Sequence, residues 1–212
     1  MASVFKRLLQ PNTAAFCGVV GPFYAFMSIM IAILLSSGGS TPSSNWFTWT
    51  GNALSDLGHP VLHPTSAIVF DSGLVIAGIV TIFFTLGLAM SVRKNILALA
   101  GTGVLLVATV ALICVGLFNE TFSPWHFLFS VTLFATMALS LLILGAAMAI
   151  NKPTRWFGIA TLLLGVVAAS PWLLLSWAHA AIPETISAVT VYVWIIMMTT
   201  RLGSGREVIP TN

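Results

Sequence analysis

Six apolar runs of about twenty residues, each nearly free of charge, constrain this chain more than any other feature. A helix of that length rises about 30 Å, the thickness of the hydrocarbon core of a bilayer. It also satisfies its backbone hydrogen bonds internally, which is the condition for lying in lipid. Composition points the same way: 58% of the 212 residues are apolar and only 6% are charged. Soluble domains carry roughly a quarter charged residues, so an ordinary soluble domain is excluded. The net charge of +3 therefore bears on topology, and no nucleic-acid partner is expected.

The spans are predicted at 14–36, 67–90, 96–118, 125–150, 156–177 and 185–200, the last being the shortest. Together they read as an all-α, six-transmembrane-helix bundle, a single transmembrane domain over 1–212 with a long outer loop at 37–64. Short connections after spans two to five make consecutive helices antiparallel neighbours. Pro22 and Pro171 fall inside spans one and five, where each removes a backbone hydrogen bond. The first run follows Lys6 and Arg7, but it is longer than the apolar core of about 7–15 residues in a removable signal, so it reads as an uncleaved span. Cys17 and Cys114 fall at opposite depths, which argues against a disulfide or a two-cysteine metal site.

Every Lys and Arg (Lys6, Arg7, Arg93, Lys94, Lys152, Arg155, Arg201 and Arg206) falls on one side of the six spans. The positive-inside rule makes that side cytoplasmic, with both termini there, and the protein a multi-pass protein of the cell membrane. Asp56, Asp71, Glu120 and Glu184 fall on or near the opposite side, as do His59, His63, His126 and His179, which are all the histidines of the chain. The rule does not account for these, because acidic residues contribute little to topology.

The first outer loop is too long to be a plain connection. A short interfacial helix is predicted from Ser44 or Asn45 to about Leu57, closed by Gly58 at the C′ position with Pro60 beyond. Trp46, Phe47, Trp49, Ala53, Leu54 and Leu57 would form its apolar side at headgroup depth. Asn52, Ser55 and Asp56 would form its polar side, Asn52 and Asp56 lying one turn apart. A solvated polar face is the plain alternative to a site. His59 and His63 each precede a proline, so they do not share a helical face, and their spacing does not support zinc.

Asp71 lies more than a turn inside span two, where an ionisable group is costly unless it meets a partner or a wet cavity. The structural alternative is a protonated Asp71 bonded to a neighbouring helix, or one stabilised by its own helix N-terminus. In the turn NETFSPWHF, Ser123 is the expected N-cap and Pro124 the first helical residue of span four. Glu120 then comes close enough to reach His126, either as a working acid/base pair or as a plain interfacial ion pair. The turn WAHAAIPET places His179 at the end of span five, with Pro183 and Glu184 opening span six. Spans two, four and six all point their N-termini outward, a geometry that favours anions.

These residues also carry a resemblance. SDLG, then a span opening FDSGL, then GLFNE with a histidine six residues on, and a Pro-Glu start to the last span resemble an uncharacterised prokaryotic domain-of-unknown-function family. Its members are six-helix membrane proteins similar to the FRAG/DRAM/Sfk superfamily, and the resemblance runs from about Gly18 to Arg201. It implies that Asp56, Glu120, His126 and Glu184 form the family's polar set. Phe70-Asp71 stands where the family pattern implies Phe-Asn, and Phe118-Asn119-Glu120 where it implies Phe-Pro-Glu, so no role for Asp71 carries over. The eukaryotic relatives, implicated in GPI-anchor lipid remodelling and in lysosomal or autophagic membranes, imply a lipid-related class but no reaction.

The leading reading is a lipid-binding, accessory or sensor protein with a polar site at the outer leaflet. The alternative is a lipid-modifying enzyme, a hydrolase or an acyl or headgroup transferase. Asp56, Glu120 and His126 would be its catalytic groups, and Asn52, Asp71, Trp46, Trp49 and Glu184 would bind substrate. His59, His63 and His179 are the only metal-ligand candidates, and ligand spacing does not support a divalent metal there. A proton-coupled transporter is the lesser alternative, since the middles of the other spans hold no acidic, basic or histidine residue to continue a relay from Asp71. Membrane lipids are the expected partners, with a homo-oligomer or a membrane-complex subunit as further candidates. No P-loop, dinucleotide fingerprint, Ser-His-Asp context or haem motif occurs.

Overall fold

A computed structural model describes residues 9–36, 46–204 and 208–210. Six long helices carry the fold: α1 (Pro11–Ser36), α2 (Pro64–Val92), α3 (Ile96–Leu117), α4 (Trp125–Ala149), α5 (Arg155–Leu174) and α6 (Ala181–Gly203). There is no strand among the described residues. All six are long and apolar enough to cross a membrane, so the chain is a multi-pass integral membrane protein.

Each helix packs on the next in sequence and α6 returns to α1, so the bundle is a closed ring. Small residues let the backbones approach, because lipid supplies no hydrophobic drive between helices. A Cβ on Gly21 of α1 would press on the Ala77 carbonyl of α2, and one on Gly145 of α4 would come within 2.7 Å of the Leu162 amide of α5. Gly18 of α1 lies against Thr199 of α6.

Arg93, Lys94, Lys152, Arg155 and Arg201 share one end of the ring, here the basic end; the loop 46–63 and the turns 118–124 and 175–180 share the other, the polar end. At the basic end Val208 and Ile209 are buried, held by Arg201 Nε donating to the Val208 carbonyl at 3.1 Å and Asn151 Nδ2 to the Pro210 carbonyl at 2.8 Å. Both cysteines are free.

Several boundaries differ from expectation by a few residues, and two of them bear on the polar end. The fifth helix ends at Leu174, where the Trp177 indole donates to the Pro171 carbonyl at 2.8 Å and takes up one of the last acceptors. The sixth starts at Ala181 and runs 23 residues, so the 20-residue α5 is the shortest. Pro183 is tolerated in its first turn because that position needs no helical donor, while the Glu184 amide makes the helix's bond to the Ala180 carbonyl at 3.0 Å.

Candidate functional site

The predicted helix from 44 or 45 to 57 begins outside the described residues, and what is described is much shorter. Only Leu54–Gly58 is helical, as a 3-10 turn. Asn52 is the reason. Its Oδ1 accepts from the Thr48 amide at 2.9 Å and its Nδ2 donates to Asp56 Oδ2 at 2.9 Å. Asp56 Oδ2 also accepts from the Ala53 amide at 3.1 Å. Side chains thus take backbone donors that a continuous α-helix would use. Asn52 and Asp56 do meet, but through a turn.

Gly58 is not a left-handed C′ residue. It ends the 3-10 turn, with His59 as the cap, and its φ is not in the positive range. A side chain there would collide with Asp71 Oδ1 and with Phe70. Gly58 is needed because the loop passes directly over Asp71.

The 3-10 turn is the point where the three polar turns meet. The Leu54 amide donates to Glu184 Oε2 at 2.6 Å, and the Ala181 amide donates to the Asn52 carbonyl at 3.0 Å. The Ser55 hydroxyl donates to Glu120 Oε1 at 2.8 Å. Beneath the turn, the Ser66 hydroxyl donates to the Leu57 carbonyl at 3.0 Å and anchors the loop to α2. Asp56 is within electrostatic range of both Glu120 and Glu184. Four carboxylates are therefore gathered at an end of the molecule that has no Lys or Arg.

Their environments differ. Glu184, in the first turn of α6, is only 6% exposed; its Oε1 takes no hydrogen bond from any described residue. Asp71 Oδ2 accepts from Asn119 Nδ2 at 3.4 Å, while its Oδ1 is buried without a partner among the described residues. Burial pushes the Glu120 carboxyl up to about 7, assisted by the charges of Asp56 and Asp71 and opposed by the Ser55 hydrogen bond.

Glu120 does not reach His126. His126 is buried, its Nδ1 lying 2.7 Å from the Phe118 carbonyl and its Nε2 3.4 Å from Ser130 Oγ. A carbonyl only accepts, so Nδ1 carries the proton in this contact. The Phe118 carbonyl lies at the end of α3, where such groups lack helical partners, and it wins the imidazole over a carboxylate already tied to Ser55. The predicted cap also shifts by one residue: Pro124 occupies the cap position of α4 and Ser123 makes no capping bond.

The remaining histidines are apart in role. His59 Nδ1 accepts from the Leu62 amide at 3.3 Å, and His63 stacks on Trp46 with ring centroids 3.6 Å apart. Partial burial and the neighbouring His59 lower the His63 pKa, with Asp56 opposing. His179 is exposed. Among the described residues no three His, Cys, Asp or Glu side chains are grouped to hold a metal ion.

Below the 3-10 turn the ring encloses a cavity of about 180 Å³ between α1, α2, α3, α4 and α6. Its depth is lined by apolar groups such as Leu105, Leu133 and Ile195, and its polar end by Ser55, Ser130 and Glu184. The well-exposed lining residues are Phe26 (44%), Trp49 (43%) and Val189 (41%), on α1, the loop and α6. The cavity thus opens sideways between α1 and α6, beneath Trp49.

Asp56, Glu120, Glu184 and Asn52 stand together with Asp71 close by; Trp49 is at the opening; Trp46, His59, His63 and His179 are not in the cavity lining. From the sequence Ser130 has no role, and Ser55 has only a place on the polar side of the expected loop helix. Ser130 lies four residues after His126 and so shares its helical face, a signal that spacing alone carries. Ser55 had no such signal, because its partner lies 65 residues away.

A family profile described as a protein of unknown function (DUF998) matches residues 19–201. Among curated proteins and among solved structures, nothing matches.

Proposed function

Given that the chain belongs to the DUF998 family, whose function is unknown, we propose from its own geometry that it binds a membrane lipid. An acyl chain would fill the cavity and the lipid's polar group would lie at the Ser55–Glu184 end. The observation that carries this reading is the cavity's polarity: apolar along its depth, polar at one end, and open sideways where lipid tails would reach it. A lipid tail gains no hydrophobic free energy on leaving other tails, so the gain would come from filling a void and from headgroup contacts. The one-sided Lys and Arg support placing the polar end at the outer leaflet of the cell membrane, with both termini cytoplasmic. The role is then binding, sensing or assistance to a partner.

Native mass spectrometry of the purified protein tests this. Lipid should be retained by wild type and by Leu173→Trp, a change on the exposed side of α5, and lost in Ala188→Trp, which fills the lining of α6. Equal retention in the two variants would remove the cavity as the site.

A second reading, a lipid hydrolase or acyl transferase, is favoured by one contact. Ser130 lines the cavity and its Oγ lies 3.4 Å from His126 Nε2, with the ring held by the Phe118 carbonyl. A nucleophile, a base and an orienting group are in order, and such contacts are often loose until substrate binds. On this reading Ser130→Ala retains lipid but stops slow release of free fatty acid from it; unchanged release would discard the reading.

A further inference from the structure

We propose that the lipid headgroup recognised at the polar end carries a primary ammonium, as an ethanolamine phospholipid does, and that Glu184 Oε1 accepts one of its N–H donors. This rests on the lipid-binding reading above and adds the headgroup class.

Glu184 is the independent observation. It is 6% exposed and lines the cavity, yet only Oε2 is occupied, by the Leu54 amide at 2.6 Å. The lone pairs of Oε1 are left for a donor arriving from the cavity. Ser55 also lines the cavity; its hydroxyl proton is committed to Glu120, so its lone pairs remain to accept a second N–H.

Charge selects a cation. Asp56 and Glu120 lie within electrostatic range of Glu184, and the sequence between Arg7 and Arg93, between Lys94 and Lys152, and between Arg155 and Arg201 holds no Lys or Arg. The polar end thus has no resident cation besides histidine, and negative charges act strongly where water is scarce. An anionic headgroup would be repelled. A charge-assisted N–H bond is shorter and stronger than a neutral one, which favours ammonium over the hydroxyls of a glycerol or sugar headgroup.

A quaternary ammonium has no N–H, so it offers Glu184 Oε1 nothing to accept.

The test is competitive retention in native mass spectrometry, using dioleoyl lipids that differ only in headgroup. Phosphatidylethanolamine, its N-monomethyl, N,N-dimethyl and trimethyl (choline) forms, phosphatidylglycerol and phosphatidic acid form the series. The ethanolamine lipid should be retained about tenfold or more over the choline lipid, with the fall complete when the last N–H is lost. Glu184→Gln should bring the ratio close to unity. Equal retention of all headgroups, or preference for phosphatidylglycerol or phosphatidic acid, would overturn the ammonium assignment and leave lipid binding intact. No retention of any lipid by wild type would overturn both. The wild-type series decides the question even if the Gln variant does not fold.

Discussion

Ser55 donates its hydroxyl to Glu120 Oε1 at 2.8 Å, and this one bond ties the first polar loop to the turn between α3 and α4, 65 residues on. It leaves Glu120 with a partner other than His126. Removing the hydroxyl takes a donor from a carboxyl held above its ordinary range by burial. Ser55→Ala is expected to cost about 1–3 kcal/mol, the range for leaving a buried polar group unmet. The Tm of the detergent-solubilised protein reads this out, and amide exchange should rise over 54–58. Ser55→Thr, which keeps the hydroxyl, should behave like wild type.

Glu120 makes stability depend on pH. Burial raises its pKa from the ordinary 4.5 to about 7, with the Ser55 hydrogen bond opposing and Asp56 and Asp71 assisting. The folded state then binds more protons than the unfolded state between those values. Stability contributed by Glu120 is therefore greatest below about pH 4.5 and falls as pH rises towards about 7. Glu120→Gln should remove this component, so the difference in Tm between variant and wild type grows in favour of the variant from pH 5 to about 7. A difference that is flat across that window, or of opposite sign, would contradict it.

Gly58 allows the loop to pass over Asp71. A methyl group there meets Asp71 Oδ1 and the Phe70 ring, both in α2, and neither is the end of a long flexible chain. Gly58→Ala is expected to lift the 3-10 turn, weakening the Leu54–Glu184 and Ser55–Glu120 bonds together. Loss of about 1–3 kcal/mol is the scale for overpacking. Pairing the change with Asp71→Ala should restore most of the stability, which a double-mutant cycle measures. Strict additivity would place the strain elsewhere.

Trp194 is fully buried in the ring, edge-on to Phe84 with ring centroids 6.4 Å apart, and its Nε1 has no partner among the described residues. Trp194→Phe loses volume but also removes an unmet donor, and these oppose. The change is expected to stay within about 1 kcal/mol, whereas Trp194→Ala should cost about 3–5 kcal/mol. Comparable losses for the two would show that the indole N–H is not a burden.

Much of this architecture is legible in the residues. The third helix begins at Ile96 and the fourth at Trp125, as the apolar runs indicate, because a span needs only length and hydropathy. Asp56, Asp71, Glu120, Glu184 and the four histidines fall at one end for the same reason: alternation of six spans places every turn. Gly58 shows where such reading stops. Gly followed closely by Pro is the ordinary signature of a helix end, yet here the glycine serves a close approach between loop and helix that no local pattern encodes. The 3-10 turn shows it too, since Asn52 competes for backbone donors through side-chain bonds whose geometry depends on the path of the loop.

By itself, then, the sequence determined six membrane-crossing helices, the separation of basic from acidic ends, and the family to which the chain belongs. These follow from local hydropathy, charge order and short motifs. Only the tertiary structure decided that Glu184 lines a cavity with one oxygen unmet, that Glu120 pairs with Ser55, and that His126 turns to the Phe118 carbonyl and Ser130. Those pairings join residues far apart in the chain, and side chains within reach of several partners are sorted by where packing places the backbone.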